Sequence, residues 1–284
     1  MTRRSLLSIH AHPDDEASKG APTVARYAAE GVHTTLVCAT GGEEGDILNP
    51  AMDRPEIRER LTEVRAEELA ASVEAIGYNK LEMLGYRDSG MPDSEANAHP
   101  ACFANAPEEE AVEKLVAIIR REKPQVILTY PDDQQGYRHP DHLRVYDISV
   151  PAFERAGDPD WYPEAGDPWS PQKMYYSMWS RKRMQLTHEA FGELGLESPF
   201  GEDWFKRPSM DDRITTTIDI SGFVEVRDAA LKAHATQVDP ESPFWFGLPA
   251  EVRNTLYPYE DFILGMSTFE AELPETDLFA GIEE

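Results

Sequence analysis

Two short segments of this chain carry metal-binding and acid–base side chains at spacings that suit hydrolysis. His12-Pro13-Asp14-Asp15 offers an imidazole and a carboxylate three positions apart. A helix beginning near Pro13 would carry His12 and Asp15 on one face of its start. Such a pair is two-thirds of a catalytic zinc shell, which has three protein ligands and one position open to water. His142, at the end of His139-Pro140-Asp141-His142, is the natural third ligand. Asp14 lies between two ligands and must point elsewhere, which leaves a free carboxylate close to a water whose pKa zinc lowers to about 7. With His142 on the metal, His139 is free to donate a proton or to stabilise a tetrahedral oxyanion, and Tyr137 can reach the same oxyanion through its hydroxyl. Asp141 is placed to orient a ring nitrogen.

Each motif alone has a plainer reading. Acidic residues after a proline in a first helical turn favour the helix dipole, and a lone HxxH is weaker still. Their joint occurrence, each just after a strand-like run, points to a metal site. Two imidazoles and a carboxylate also suit Fe(II); hydrolytic logic rather than the ligand set favours one Zn2+ per chain.

The elements that must position these residues alternate. Leu6–Ile9 is a short apolar run, Ala21–Glu30 reads as a helix stopped by Gly31, and Thr34–Ala39 is a β-branched strand ending at Gly41-Gly42. Arg58–Ile76 has the apolar period of a helix, Leu81–Leu84 is a third strand, Glu109–Glu122 a further helix and Val126–Thr129 a fourth strand. This order predicts an α/β fold, a Rossmann-like, mostly parallel sheet flanked by helices. From about Gly157 the texture changes to Pro, Trp and Gly. Met174–Met178, Ile214–Ile220 and Val224–His234 then suggest two strands and a helix of a smaller C-terminal α+β lobe. The expected division is residues 1–156 as the metal-binding catalytic domain and 157–284 as a substrate-covering lobe. Each of the four strands runs into a loop of unusual polar chemistry, and in open parallel sheets ligands bind at those strand ends.

Composition narrows the partners. With 53 acidic against 27 basic residues the 284-residue chain carries a formal charge of −26, which repels phosphate backbones and anionic lipids. Nucleic acid and membrane are thus excluded in favour of a small-molecule substrate, and the acidity reads as a solubilising or salt-adapted surface. The N-terminal run reaches the His/Asp cluster too soon for a signal peptide, and no apolar stretch is long enough to span a bilayer. Cys38 and Cys102 are too few for a disulfide framework and read as buried thiols of a cytoplasmic protein.

HAHPDDE near the start, GGEEGD, RDSGM and GYRHPDH together resemble the LmbE-type metal-dependent deacetylases, most closely their mycothiol branch, over nearly the whole chain. AHATQVDP (233–240) and ETDLFAGIE (275–283) are similar to the amidase side of that branch. The resemblance implies zinc on His12, Asp15 and His142, Asp14 as base, and His139 and Tyr137 at the oxyanion or leaving amine, with Asp141 in support. It also implies substrate contacts from Arg65 to an inositol, from Asp88 to a sugar, and from Lys19 to a cysteinyl part. Asp46 stands where relatives usually carry Glu, and its shorter side chain needs a bridging water to reach a sugar.

Each outer residue also has a plain reading. Arg65 lies among acids as a salt-bridge partner, Asp88 precedes Ser-Gly as a turn former, and Lys19 sits before Gly20 as an ordinary surface lysine. His234 reads by default as a satisfied structural histidine, and the five tryptophans as core or lid. The implied reaction splits the cysteinyl–glucosamine amide of mycothiol S-conjugates, a detoxification step. The nearest alternative removes acetate from N-acetylglucosaminyl-inositol. A protein that binds a glycosyl thiol without turnover has no need of a base. A metallophosphoesterase usually needs two ions about 3.5–4 Å apart, and convincing ligands are present for one.

Overall fold

The computed structural model describes residues 3–134 and 137–283, so Gly136 of the GYRHPDH motif lies outside the described residues. The first half runs β1 (Ser5–His10), α1 (Asp15–Ser18), α2 (Ala21–Ala29), β2 (His33–Thr40), α3 (Pro55–Arg58), α4 (Leu61–Ile76), β3 (Lys80–Tyr86), α5 (Glu108–Glu122), β4 (Val126–Thr129) and α6 (Pro140–Arg155). The second half adds β5 (Lys173–Met178), α7 (Arg181–Glu193), α8 (Glu202–Lys206), β6 (Thr216–Asp219), α9 (Val224–Ala233), α10 (Pro243–Phe246), α11 (Ala250–Leu256) and β7 (Tyr259–Ser267).

All seven strands form one sheet in the order β3-β2-β1-β4-β5-β7-β6. The pairs from β3 to β5 are parallel, and β7 is antiparallel to both β5 and β6. The strands of the second half therefore extend the sheet of the first. Because β1 is flanked by β2 on one side and β4 on the other, the strand order reverses there. Such a switch point opens a crevice at the carboxyl ends of the strands.

Period-2 alternation divides the strand side chains between two cores. Leu7, Ile9, Val37, Ala39 and Ile127 face α5 and α6, packing on Val112, Leu115, Val116, Ile119, Val145 and Ile148. Leu6, Leu36, Val126 and Leu128 face the other way, against Val24 and Tyr27 of α2, Leu69 and Ile76 of α4, and Leu231 of α9. In α5, Glu108–Glu110 open the first turn and Arg120 and Arg121 lie in the last, both favourable to the helix dipole.

Two helix starts differ from expectation. The helix expected at 58–76 is two, α3 and α4, since the backbone leaves helical geometry at Arg60 (φ −120°, ψ 21°). The helix expected near Pro13 begins at Asp15, because Asp14 has φ 112°. The amidase-like C-terminal segment is a structural clasp. Buried Lys173 pairs with Glu275 and donates to the Ala280 carbonyl at 2.6 Å, while the Tyr175 hydroxyl donates to Glu275 Oε2 at 2.6 Å. Leu278 and Phe279 of that segment join the core beside Tyr27.

Candidate active site

The loops after β1 and β4 flank the switch point and carry the two motifs. The hydroxyl of Tyr130, just past β4, accepts from the Ala11 amide at 3.1 Å, and its ring stacks on His142 at 4.5 Å and 6°. One tyrosine thus ties the end of β1 to the first turn of α6. His139 is the N-cap of α6, its Nδ1 accepting from the Asp141 amide at 3.2 Å, with Pro140 at the first helical position.

His12, Asp15 and His142 are all buried and present one ligand atom each within 4.8 Å of one another. Asp15 Oδ2 lies 3.3 Å from both His12 Nδ1 and His142 Nε2. His12 Nε2 is 3.1 Å from Asp141 Oδ2, a carboxylate that can only accept, so the neutral ring keeps its lone pair on Nδ1, toward Asp15. This carboxylate–histidine arrangement is how metal-binding imidazoles are oriented. Burial pulls the His142 pKa down to about 4, which keeps that ring neutral and able to bind metal. Burial opposes charge on His12 as well, but hydrogen bonds to Asp141, Asp15 and Asp88 outweigh it and raise its pKa. The donor set fits a divalent cation. His12 Nδ1 and His142 Nε2 both face Asp15 Oδ2, and the carboxylates of Asp88 and Asp141 approach His12 from its other ring nitrogen. Such an excess of buried negative charge favours a bound cation.

His12 and Asp15 reach this arrangement by a route other than one helical face. Asp15 opens α1 while His12 precedes it, and the left-handed Asp14 between them turns the chain. A non-glycine residue in that conformation costs about 1–3 kcal/mol, which surrounding bonds must offset. The Arg65 guanidinium, 3% exposed, supplies some of them. It donates to the Pro13 carbonyl at 2.5 Å, to the Gly42 carbonyl, and to Asp14 Oδ2 at 3.4 Å. A Cβ on Gly42 (φ 67°) would collide with that guanidinium, which is why the GGEEGD loop needs glycine there. Burial, offset in part by Arg65, raises the Asp14 pKa to about 6.

Asp141 accepts from the Ser89 amide at 2.9 Å and from the Ser89 hydroxyl, so the RDSG loop locks the group that orients His12. Asp88 Oδ1 accepts from the Gly90 amide at 2.8 Å and lies 3.5 Å from His12 Nε2. Lys19 lines the cavity, and its Nζ donates to Asp15 Oδ1 at 2.7 Å and to Ser18 Oγ at 3.2 Å. Asp46 is exposed at the cavity edge, and its backbone carbonyl accepts from Gln237 Nε2 at 3.0 Å. Tyr137 is 49% exposed, its ring 5.2 Å from that of His142. His139 lies 4.5 Å from His12, ring to ring, and burial together with His12 lowers its pKa. Because its Nδ1 accepts a backbone N–H, the proton of the neutral ring sits on Nε2, making that atom a donor.

Of the site residues expected from the sequence, all except Asp141 line one cavity of about 700 Å3. The same cavity is lined by Trp179, Trp204, Phe205, Phe244 and Trp245, of which the three tryptophans meet at Phe244, whose ring is 4.8 Å from Trp245, 5.6 Å from Trp179 and 6.0 Å from Trp204. These rings are partly exposed, and Trp245 also packs against the core. The sequence reading took the tryptophans as core or lid and gave Phe205 and Phe244 no role; the signal was aromatic density in two short stretches, 204–205 and 244–246. It also gave no role to Glu16, fully buried behind Asp14, or to Ser89. His234 is the buried structural histidine expected, its Nε2 2.6 Å from Glu16 Oε1. Among the described residues no helix is long and apolar enough to cross a membrane.

Comparison with known proteins agrees with this geometry. A family model described as GlcNAc-PI de-N-acetylase (PIG-L) matches residues 7–153. The mycothiol S-conjugate amidase of Streptomyces coelicolor is 44% identical, the match covering 98% of this chain and 97% of that one. The 1D-myo-inositol 2-acetamido-2-deoxy-alpha-D-glucopyranoside deacetylase of Streptomyces avermitilis is 41% identical, covering 98% and 97%. Among solved structures, N,N'-diacetylchitobiose deacetylase from Pyrococcus horikoshii superposes with a TM-score of 0.62 at 17% identity, over 92% of this chain and 83% of that one. GalB, the 4-carboxy-2-hydroxymuconate hydratase of Pseudomonas putida, gives 0.62 at 16% identity, over 95% and 99%. That one fold carries a deacetylase and a hydratase shows that fold alone does not assign the reaction.

Proposed function

Because the chain belongs to the PIG-L family of LmbE-type deacetylases and amidases, hydrolases of amide bonds, we propose that it cleaves the cysteinyl–glucosamine amide of mycothiol S-conjugates. The products are glucosaminyl-inositol and an acetylcysteine S-conjugate, and the role is detoxification in the cytoplasm. The observation that carries this choice over removal of an acetyl group is the aromatic lining of Trp179, Trp204, Phe244 and Trp245 in the same cavity as the His/Asp cluster. An acetyl group offers those rings almost nothing to bury, whereas the S-substituent of a conjugate offers apolar surface. Residues 157–284, which supply all of these rings, form in this reading the substrate-covering part of the molecule, beside a catalytic part in 1–156.

In this reading His12, Asp15 and His142 hold one zinc ion, which when bound supplies Lewis acidity and makes a water acidic enough to ionise near neutrality. Asp14 accepts the proton of the attacking water, a task suited to a carboxylate with a pKa of about 6. His139 donates a hydrogen bond from Nε2 to the oxyanion as the carbonyl becomes tetrahedral, and the Tyr137 hydroxyl reaches it from the cavity mouth. Protonated Asp14 then passes its proton to the leaving amine. Asp141 acts through His12, and Lys19, Arg65 and Asp88 act by holding Asp15, Asp14 and the His12 ring. Asp46, exposed at the cavity edge, reaches the sugar through a bridging water.

The test is a comparison of zinc-loaded protein on two substrates. Hydrolysis of a bimane conjugate of mycothiol should exceed acetate release from N-acetylglucosaminyl-inositol in kcat/KM. Faster acetate release would overturn the amidase reading and leave the amide chemistry intact.

A further inference from the structure

Asp14 does its work from a backbone conformation that an aspartate does not adopt unaided, φ 112°. Its side chain bonds to Arg65, but its amide N–H is held by a different group. Glu16 Oε2 accepts that N–H at 2.9 Å, reaching back two residues to do so. The other oxygen of Glu16 accepts from the Ser72 hydroxyl of α4 at 2.5 Å and lies 2.6 Å from His234 Nε2. Glu16, Ser72 and His234 are all 0% exposed.

His234 is itself fixed at the C-terminal end of α9. Two residues further on, the Thr236 amide and hydroxyl donate to Glu68 of α4 at 2.7 and 2.6 Å. Nothing in the acid–base chemistry of the cavity uses Glu16 or His234, and neither lines it. Burial of an ion pair gains little stability by itself, so its presence behind the strained residue asks for another role.

We propose that the buried Glu16–His234 pair is a positioning device for Asp14: it clamps the Asp14 amide, holds the left-handed turn, and so aims the carboxylate into the cavity while Asp15 points at its partner histidines. The clamp explains two sequence features at once, the glutamate that closes HPDDE and the histidine of AHATQ, which lie 218 residues apart and meet only in the fold. Electrostatics supports the geometry. Burial opposes charge on His234, but Glu16 outweighs it and raises its pKa, and the resulting positive ring helps keep Asp14 ionised.

The proposal rests on the reading of Asp14 as base, and the experiment separates the two. Full-length zinc-loaded protein is assayed on whichever of the two amide substrates it hydrolyses faster. Asp14→Asn comes first: retained turnover would remove the base assignment and the clamp with it. With that variant inactive, His234→Ala should keep its metal content and its KM within about twofold but lose about 100-fold in kcat, the scale of a displaced catalytic group. His234→Gln, whose amide nitrogen can stand where Nε2 stood, should recover kcat to within about tenfold of wild type. A crystal structure of His234→Ala should show Asp14 relaxed from its positive φ.

If His234→Ala does not fold, Ser72→Ala removes the other donor to Glu16 and should lower kcat about three- to tenfold at unchanged KM and metal content. Unchanged kcat in the variant that folds overturns the clamp. So does a loss of kcat that tracks loss of metal, or failure of glutamine to rescue a protein that melts like wild type.

Discussion

The cavity has two linings, built in different ways. The polar lining sits on the ends of parallel strands, and nearly every one of its side chains has internal partners: His12 with Asp141 and Asp15, Asp15 with Lys19 and His142, Asp14 with Arg65. The aromatic lining sits on the short helices α8 and α10 and on Trp179 just after β5, and is held by ring-to-ring contact at 4.8–6.0 Å, by Arg207 over Trp204 and Arg183 over Trp179, and by a hydrogen bond from Trp179 Nε1 to the Ser18 carbonyl. Fixed networks on rigid elements suit chemistry that tolerates little displacement, and aromatics on short helices and loops suit recognition of variable apolar groups. If this contrast is right, damage to the polar lining lowers kcat for any amide. Damage to the aromatic lining changes only how conjugates bind.

The largest effect is expected from His12→Ala, which removes a ligand and the partner of Asp141 together. Metal content, measured by atomic emission on the purified protein, should fall to background and turnover with it. Stoichiometric zinc in this variant would break the ligand assignment. Asp14→Asn comes next, with zinc retained and kcat down by about 10³–10⁴, the upper range for loss of a general base. The sign of the pH dependence follows from the same group. The Asp14 pKa is raised to about 6, the base works only when ionised, and a neighbouring cation lowers its pKa. The acidic limb of kcat/KM should therefore lie at or below about pH 6, and a limb well above that would name another base.

The cap made by His139 and the oxyanion role proposed for it can be separated. His139 caps α6 through Nδ1 and presents Nε2–H to the cavity. Both His139→Ala and His139→Asn should lose about 10² in kcat, the cost of one oxyanion donor. Asparagine retains a capping oxygen, so only the alanine variant should lose the stability of a cap, about 1 kcal/mol by denaturant unfolding. Equal stabilities would show that the cap contributes nothing. A kcat unchanged in either variant would remove His139 from the mechanism.

Much of the polar lining was legible in the sequence, for a physical reason. Strand ends in a β-α alternation converge, so HPDD after β1 and HPDH at the start of α6 had to meet, and the cluster of His12, Asp15 and His142 that the fold brings together could be named from residue type and order. The strand cores of the first half were legible too: Val126–Thr129 has the expected bounds and the other three are longer by a residue or two at either end, whereas the strand expected at Ile214–Ile220 is only Thr216–Asp219 and β7 was not foreseen. Long-range partners of individual side chains were not legible. That Lys19 folds back onto Asp15 is one such pairing, which no spacing rule reveals. The helix start was misplaced by two residues because a left-handed Asp14 leaves no mark in composition. Tryptophans were read as core or lid since burial and cavity lining require the same residue type.

The smallest effect distinguishes the two linings most directly. Trp204 and Phe244 touch each other at 6.0 Å and neither bonds to the His/Asp cluster, so replacing one leaves the metal site intact. Loss of one aromatic contact with a ligand is worth on the order of 1–1.5 kcal/mol, or about tenfold. Trp204→Ala and Phe244→Ala should therefore raise KM about tenfold for a bimane conjugate of mycothiol, with kcat within about twofold of wild type. For an S-methyl conjugate, which buries little against the rings, KM should barely move. The split matters because an aromatic cluster that merely braced the cavity would lower kcat for both substrates alike. Parallel losses of kcat on the two conjugates would make these rings scaffold, and the division between a catalytic and a recognising lining would fall with them.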